Sequence, residues 1–193
     1  MNSFSKIISF FMLLMSFFIL SCRGSAPIYH LREDVDMSFF KRAAVMPFDN
    51  LSNDKAAGEV VRHLVISELL ASGLVDVLVP GEVMAAVNEL DIKNISSLSE
   101  KQIKALGKLL KVEALIIGTV EQYGETRIGN VSAPEVTVTL MMADTGTGNI
   151  IWSITLTRGG AGFMARYFGA KAETMSETAL AVVREALSTL KKY

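Results

Sequence analysis

The segment VEALIIGTVEQYG, residues 112 to 124, is the strongest indicator of fold class in this chain. Its first half is apolar at every position from Ala114 to Ile117, so side chains on both faces of an extended segment would avoid water. Strands that are apolar on both faces lie in the middle of sheets that helices cover on either side. The stretch therefore predicts a central strand, and the rest of the chain must supply its neighbours and its helices.

The residues before this strand alternate between strand and helix patterns. The run RAAVMPF, residues 42 to 48, predicts a buried strand that ends near its proline. Turn chemistry in DNLSND leads to a helix over about 55–72, which Gly73 ends as a C-terminal cap. The remaining predicted elements are a strand over 75–80, a helix over 82–90, and a helix that begins with a Ser99–Gln102 capping box.

The residues after the central strand change to strict alternation. Residues 136 to 142 and 150 to 157 place aliphatic side chains and Trp152 on one face and mostly threonine on the other, which is typical of two half-buried antiparallel strands. The segment ADTGTGN joins them as a hairpin loop, and the last helix is predicted over about 168–190. The order β-α-β-α-α-β-β-β-α predicts a single α/β domain over residues 42 to 193, with a mixed sheet covered by helices.

The amino-terminal segment has the composition of a secretory signal. Residues 7 to 20 follow Lys6 and are almost entirely Ile, Phe, Met and Leu. These 14 residues are too few to cross a bilayer comfortably, which takes about 20. We therefore predict a signal peptide over residues 1 to 21. The sequence Ile19-Leu20-Ser21-Cys22 resembles the bacterial lipobox, whose cysteine is acylated through its sulfur and becomes the first residue.

Cys22 is the only cysteine in the chain and is the predicted lipidation site. A buried core cysteine is the alternative, but no amphipathic period surrounds it and loop residues follow at once. The lipobox resemblance implies a diacylglyceryl group and a third acyl chain, such as palmitate, and stable attachment requires more than one chain. Arg23 stands where lipoproteins retained in the enterobacterial inner membrane have aspartate, which favours the outer membrane. Residues 22 to 41 are predicted to form the lipidated amino terminus and a tether.

The charge balance excludes one class of partner. Removal of residues 1 to 21 removes only Lys6 among the charged side chains, which leaves 18 Lys and Arg against 20 Asp and Glu. A net charge near −2 provides none of the basic surface that nucleic acids require, so we expect no nucleic-acid partner. The remaining 172 residues suffice for one domain with a sizeable core.

Asp144-Thr145-Gly146 matches the D-T-G triplet of aspartic proteases, so an aspartic-type hydrolase is one hypothesis. That chemistry needs two carboxylates that share a proton, and two copies of the chain would have to meet across the triplet. A hairpin turn explains the same residues, because Asp and Gly are what a tight loop requires. We favour the turn and predict that the protein is not an enzyme.

The glycine-rich segment after the last predicted strand is a second candidate. Gly159, Gly160 and Gly162 precede a helix, where a phosphate could bind, but a flexible hinge explains them better. The aromatic side chains of Phe163, Tyr167 and Phe168 are interpreted as core or helix entry, with a contact surface as the alternative.

The two histidines complete the search for chemistry. His30 and His63 lie far apart in the sequence, and neither has the spacing of a metal site. His63, together with Glu59 or Arg62, is interpreted as part of a solvated helix face. We therefore predict no catalytic residue, no bound metal and no cofactor.

Three segments, in this order, resemble the curli-secretion lipoprotein family, the CsgG-like proteins. They are RAAVMPFDNLSND near residue 42, LLKVEALIIGTVEQYG around the central strand, and MMADTGTGNIIWS at the predicted hairpin. The same α/β unit is described for LpoB, a lipoprotein that activates penicillin-binding proteins, and for the amino-terminal domain of TolB. The resemblance covers about Arg42 to Leu190. It implies a lipid-anchored, non-enzymatic periplasmic domain that binds protein partners.

The expected function is therefore that of a protein-binding accessory in envelope assembly or secretion, anchored to the outer membrane and facing the periplasm. The alternative is a ring-forming subunit of a curli-type secretion channel. Such a channel needs hairpins with strands of about 9–11 residues, whereas only GETRIGNVSAPE and TGTGN separate the last three predicted strands. We therefore expect no pore, and residues 159 to 170 are the pore-lining segment that the alternative would require. Both hypotheses allow a homo-oligomer.

Overall fold

The computed structural model describes residues 29–32, 35–128, 131–159 and 173–190. These ranges contain a 3-10 turn at Met37–Phe39, seven strands and four α-helices. The strands are β1 (Tyr29–Leu31), β2 (Arg42–Val45), β3 (Asp49–Asn50), β4 (Asp76–Val77), β5 (Ala114–Ile128), β6 (Val131–Asp144) and β7 (Ile150–Gly159). The helices are α1 (Ala57–Ser72), α2 (Pro80–Glu89), α3 (Glu100–Leu110) and α4 (Met175–Ser188).

All seven strands belong to one mixed sheet, in the order β1-β7-β6-β5-β2-β4, with β3 beside β5. β2 is parallel to β4 and β5, whereas β5, β6 and β7 form an antiparallel meander and β1 is antiparallel to β7. We call the end at which β2, β4 and β5 begin the lower end of the sheet. The end at which the β5–β6 hairpin reaches beyond the other strands is the upper end. The predicted α/β domain with one mixed sheet is confirmed.

Helices cover both faces of the sheet at its lower end. α1 and α4 pack on one face, in a core that includes Val65, Ile116, Trp152 and Val182. α2 and α3 pack on the other face, around Leu115. The segment Ala114–Ile117 is buried at every position. It is therefore the central strand, buried on both faces, that the sequence predicts.

Two helices begin at capping boxes, which fix where they start. The Ser99 hydroxyl accepts a hydrogen bond from the backbone N–H of Gln102, and the Gln102 side-chain oxygen accepts one from the backbone N–H of Ser99, as predicted for α3. Thr174 and Glu177 make the same pair of bonds at the start of α4. α4 therefore begins at Met175 rather than near residue 168, and residues 168 to 172 lie outside the described ranges.

Two segments predicted to be irregular take part in the sheet. In the segment predicted as a tether, Tyr29–Leu31 pair with Trp152–Ile154 at the edge of the sheet. The described residues of the predicted connection GETRIGNVSAPE are likewise strand, since β5 continues to Ile128 and β6 begins at Val131. The prediction that these twelve residues form an irregular connection is therefore wrong, because residues 124–128 belong to β5 and residues 131–135 belong to β6.

The second predicted strand is shorter than expected. It comprises only Asp76–Val77, because Pro80 already occupies the first turn of α2. Among the helices in the described part of the chain, none combines the length and the apolar composition that crossing a membrane requires.

Candidate functional site

The D-T-G segment forms the lower loop between β6 and β7. The Asp144 carboxylate accepts the amide of Gly146 at 2.9 Å through one oxygen. Its other oxygen accepts the Thr147 hydroxyl at 2.6 Å and the Thr147 amide at 3.3 Å. Asp144 therefore acts as the turn residue that the favoured interpretation requires, with both carboxylate oxygens engaged inside its own loop.

Thr145 attaches this loop to the start of the central strand. Its amide donates to the Glu113 carbonyl at 3.0 Å, and its hydroxyl donates to the Val112 carbonyl at 2.6 Å. The side chain lies so close to Gly107 of α3 that a Cβ at position 107 would collide with it. The triplet thus joins α3, β5 and β6, and each of these contacts is structural.

Five threonines lie on the upper half of the sheet, on the face away from α1 and α4. We call Thr119, Thr137, Thr139, Thr155 and Thr157 the threonine face; they lie in two cross-strand rows. The hydroxyls of Thr137 and Thr157 are 2.9 Å apart, and those of Thr139 and Thr155 are 2.7 Å apart. α2 and α3 pack only on the lower part of this side, so the threonine face is half-buried to exposed.

Glu121 adds a negative charge to this surface. It occupies an irregularity in the β5–β6 register, between Val120 and Gln122. Its carboxylate accepts the Thr139 hydroxyl at 2.6 Å. A flat surface of hydroxyls beside one carboxylate can form hydrogen bonds with a polar partner.

The β5–β6 hairpin is the longest feature of the sheet. β6 pairs with β7 up to Glu135–Gly159. Beyond that level, among the described residues, β5 and β6 pair only with each other, from Glu125–Pro134 to Ile128–Val131. We call Glu125–Ile128 and Val131–Pro134 the hairpin extension. Gly159 permits this arrangement, since it has φ of +125° and approaches Pro134 and Glu135 more closely than a Cβ would allow.

Among the described residues, the outer edge of β5 has no neighbouring strand along its upper half. β3 and the Leu51 amide pair with β5 only as far as Val120. From Glu121 to Ile128, no strand in the described part of the chain pairs with this edge. Tyr123 is half-buried at this edge. Its pKa is raised mainly by burial and, to a smaller extent, by the negative charge of the nearby Asp54 carboxylate. Open strand edges are templates for pairing with another chain.

A cluster of charges ties the upper end of β7 to the start of α4. Arg158 donates to Glu173 at 3.1 Å, and its guanidinium lies 3.6 Å from Glu185. The hydrogen bond from Arg158 lowers the pKa of Glu173, and the same bond raises the pKa of Arg158. The buried Thr178 also donates to Glu173, at 3.4 Å. This cluster therefore holds the two described ends of the connection from residue 160 to residue 172.

Arg62 corrects one interpretation of the sequence. It was expected on a solvated helix face, but it is only 3% exposed. Its guanidinium donates twice to the Val45 carbonyl, at 3.0 and 3.2 Å, and lies 3.6 Å from Glu59. β4 ends too early to pair with that carbonyl, since its last contact is between the Leu78 amide and the Ala43 carbonyl. Arg62 therefore replaces a missing strand neighbour.

The histidines lie apart. His30 is in β1 opposite Ser153, and His63 is exposed on α1. Within the described ranges, no group of three or more His, Cys, Asp or Glu side chains is arranged to hold a metal ion. A cavity of about 30 Å³ between α1, α4 and the sheet is apolar and has the size of one water molecule, so it is a packing gap.

Two predicted sites cannot be placed. Cys22 and the signal segment lie outside the described residues, as does the glycine-rich and aromatic segment from Gly160 to Ala170. The lipidation of Cys22, and the pore-lining role of residues 159 to 170 in the alternative hypothesis, stay predictions. The hairpin extension is the feature that sequence reasoning missed. Its signal was the dipeptide Gly129-Asn130, which is typical of a two-residue hairpin connection.

Comparison with known proteins places the fold. No family model matches the chain, and no curated protein matches it. A PelC dodecamer from Paraburkholderia phytofirmans matches with a TM-score of 0.57 at 18% identity, over 86% of this chain and 97% of that chain. Lipoprotein GNA1162 from Neisseria meningitidis matches with a TM-score of 0.56 at 15% identity, over 79% and 99% of the two chains.

The LpoB C-terminal domain from Escherichia coli is less similar, with a TM-score of 0.45 at 15% identity over 74% of this chain and 91% of that chain. The CsgG-like family assignment stays a prediction, because no family model supports it. Since these identities are all below 20%, the likeness concerns the fold alone. This chain shares its helix-covered mixed sheet with PelC and GNA1162.

Proposed function

We propose that this chain is a lipoprotein anchored to the outer membrane through Cys22. Its domain faces the periplasm and is a non-enzymatic, protein-binding accessory in envelope assembly or secretion. The lipobox-like sequence before Cys22 supports the anchor. The protein named lipoprotein GNA1162, which has the same fold, adds support from a second direction.

The observation that carries the binding role is the asymmetry of the sheet. At the lower end both faces are covered by helices, and the polar groups of the D-T-G loop bond within the domain. At the upper half, the threonine face and the outer edge of β5 have no covering element in the described ranges. A partner that extends the sheet at an open edge gains main-chain hydrogen bonds without any catalytic group.

A cross-linking experiment tests the binding surface. A photoreactive amino acid at Thr139 should cross-link to a second protein in cells, whereas one at the exposed Lys108 of α3 should not. The variant Thr155→Arg, combined with the photoreactive residue at 139, should abolish the cross-link and leave the melting temperature unchanged. Equal cross-linking from both positions, or a cross-link that survives Thr155→Arg, would contradict the proposal.

A fractionation experiment tests the anchor. Cys22→Ala should move the protein from the membrane fraction to the soluble fraction, because no acyl chain can be attached. Ser25→Ala, three residues away, is the matched control and should stay with membranes. Membrane association that is unchanged in Cys22→Ala would count against the anchor.

A ring-forming subunit of a secretion channel is the second candidate. The specific support is the PelC dodecamer, whose protomer has this fold. The open edge of β5 and the outer edge of β7 above Ile154 lie on opposite sides of the sheet. A contact between two different patches closes into a ring when the rotation per subunit allows it. Native mass spectrometry of the detergent-extracted, lipidated protein separates the candidates: a single large multiple of the protomer mass favours the ring, and a monomer or small oligomer favours the accessory.

A further inference from the structure

The direction of β1 determines where the chain leaves the domain. Tyr29 pairs with Ile154 and Leu31 pairs with Trp152, so β1 runs opposite to β7. β7 rises from Ile150 to Gly159, which lies beside Glu135 at the base of the hairpin extension. The amino-terminal end of β1 therefore points to the upper end of the sheet, the same direction as the β5–β6 hairpin.

The connection from β1 to Cys22 is short. Seven residue steps separate Cys22 from Tyr29, and a fully extended chain spans at most about 3.6 Å per residue. The Cα atom of Cys22 therefore lies within about 25 Å of Tyr29. If the acyl chains of Cys22 are in the bilayer, the membrane surface lies within about 25 Å of Tyr29 in β1.

The hairpin reaches farther than the connection. Ile154, the partner of Tyr29, lies opposite Leu140 of β6. Nine residue steps of β6 separate Leu140 from Val131 at the end of the hairpin extension. At about 3.3 Å per residue in a strand, they span about 30 Å. The hairpin therefore extends about 5 Å farther towards the upper side than Cys22 can reach.

The opposite orientation, with the lower end of the sheet towards the membrane, is disfavoured because the connection between Cys22 and Tyr29 is short. A reversal of the chain between Cys22 and β1 would use about four of the seven residues, which leaves three residues and a span of about 10 Å. The lower end of β7, at Ile150, lies four residues or about 13 Å below Ile154, and the D-T-G loop projects beyond it. The connection is too short to bring a membrane against the lower end.

We infer that the upper end of the domain rests on the lipid surface, with the described strands of the hairpin extension in contact with lipid headgroups. This inference rests on the proposed lipidation of Cys22. The side chains of Glu125, Thr126, Arg127 and Ser132 are polar and suit the headgroup region rather than the hydrocarbon. The threonine face then stays accessible from the side, and the lower end points away from the membrane.

Fluorescence quenching by lipids tests this orientation. The lipidated full chain is reconstituted in phosphatidylethanolamine–phosphatidylglycerol vesicles that contain bromolipids, after its intact mass has confirmed acylation. One fluorophore is attached to an added cysteine in each of three variants, Ser132→Cys at the upper end, His30→Cys at the sheet edge and Lys41→Cys at the lower end. All three positions are exposed in the structure. Quenching should be several-fold stronger at position 132 than at position 41, with position 30 between them.

Each other outcome overturns a defined part of the account. Quenching that is strongest at position 41 would mean that the lower end faces the membrane, and strongest quenching at position 30 would mean that the domain lies on its edge. An acylated protein that floats with vesicles but shows either pattern contradicts the orientation and leaves the anchor intact. A chain that carries no acyl group contradicts the anchor and, with it, the orientation. A long glycine–serine insertion after Ser25 should reduce quenching at position 132 while flotation persists; unchanged quenching would refute the argument from length.

Discussion

The lower and upper halves of the same three strands are built differently. At the lower end, β5, β6 and β7 are buried between two helix layers, and residues such as Leu115 and Trp152 are fully buried. Above the level of Ile154, the described helices cover only the face towards α1 and α4, and the other face carries the threonine face and Glu121. The comparison indicates that the lower half supplies stability, while the upper half has surfaces left for contact with other molecules.

Two single substitutions in β7, three residues apart, should differ most in their effect on the free energy of unfolding. Trp152→Ala removes a fully buried side chain whose indole N–H donates to the Thr189 hydroxyl at 3.0 Å. Its free energy of unfolding should fall by about 3–5 kcal/mol. Thr155→Ala, in the exposed row above, should change it by less than about 0.5 kcal/mol. Urea denaturation of both variants measures the difference, and comparable losses would contradict the division into halves.

Arg62→Met tests the boundary between a complete and an incomplete sheet edge. The substitution keeps an unbranched side chain but leaves the Val45 carbonyl without its donor. Because an unsatisfied buried polar group is costly, the free energy of unfolding should fall by about 1–3 kcal/mol. The control His63→Ala, on the exposed side of the same helix, should stay within about 0.5 kcal/mol of the wild type. Equal values for the two variants would show that Arg62 has no role at this edge.

The threonines of the two halves provide a matched pair. Thr145→Val removes the hydroxyl that donates to the Val112 carbonyl at the lower end, and it should cost about 1 kcal/mol. Thr157→Val, on the threonine face, removes a hydroxyl that is exposed and accessible to water, and its effect should be close to zero. Thermal denaturation checks both. A larger loss for Thr157→Val would mean that the threonine face stabilises the fold rather than serving contact.

The smallest effect concerns pH at the upper end of β7. The pKa of Glu173 in the folded protein is lowered below its ordinary value of 4.5 by the Arg158 hydrogen bond. The stabilisation from this pair is therefore present above the unfolded pKa and is lost as the pH falls through the folded pKa. Glu173→Gln should make the melting temperature less sensitive to pH below about 4.5, whereas the exposed control Glu89→Gln should follow the wild type. Parallel pH profiles for all three proteins would contradict the role of the pair.

The lower half could be predicted from the sequence because its signals are local. Apolar runs, helical periods and the Ser99–Gln102 capping box each depend on neighbouring residues, and the structure confirms them. The D-T-G segment was predicted as a turn for the same reason. Its side-chain hydrogen bonds lie within three residues or reach Val112, just before β5.

The upper half was harder to predict because its strands are stabilised by pairing partners rather than by composition. Gly124 and Pro134 are unfavourable in strands, yet they lie in β5 and β6 because the two strands pair along their whole length. β1 has only three residues, and its pairing with β7 joins residues more than 120 positions apart. Arg62 is buried because β4 ends before it reaches the Val45 carbonyl. The sequence of α1 carries no information about the end of β4.

Hydrogen exchange of the lipidated protein tests most directly the claim that the lower half is scaffold and the upper half is the contact region. The comparison is between the lipidated wild type on vesicles and Cys22→Ala in solution. The amides of Glu125–Arg127, Ser132, Ala133 and Glu135 should exchange more slowly on vesicles, while those of Ala114–Ile117 exchange equally slowly in both samples. Unchanged exchange in the upper half, or slowing confined to α2 and α3, would contradict the account.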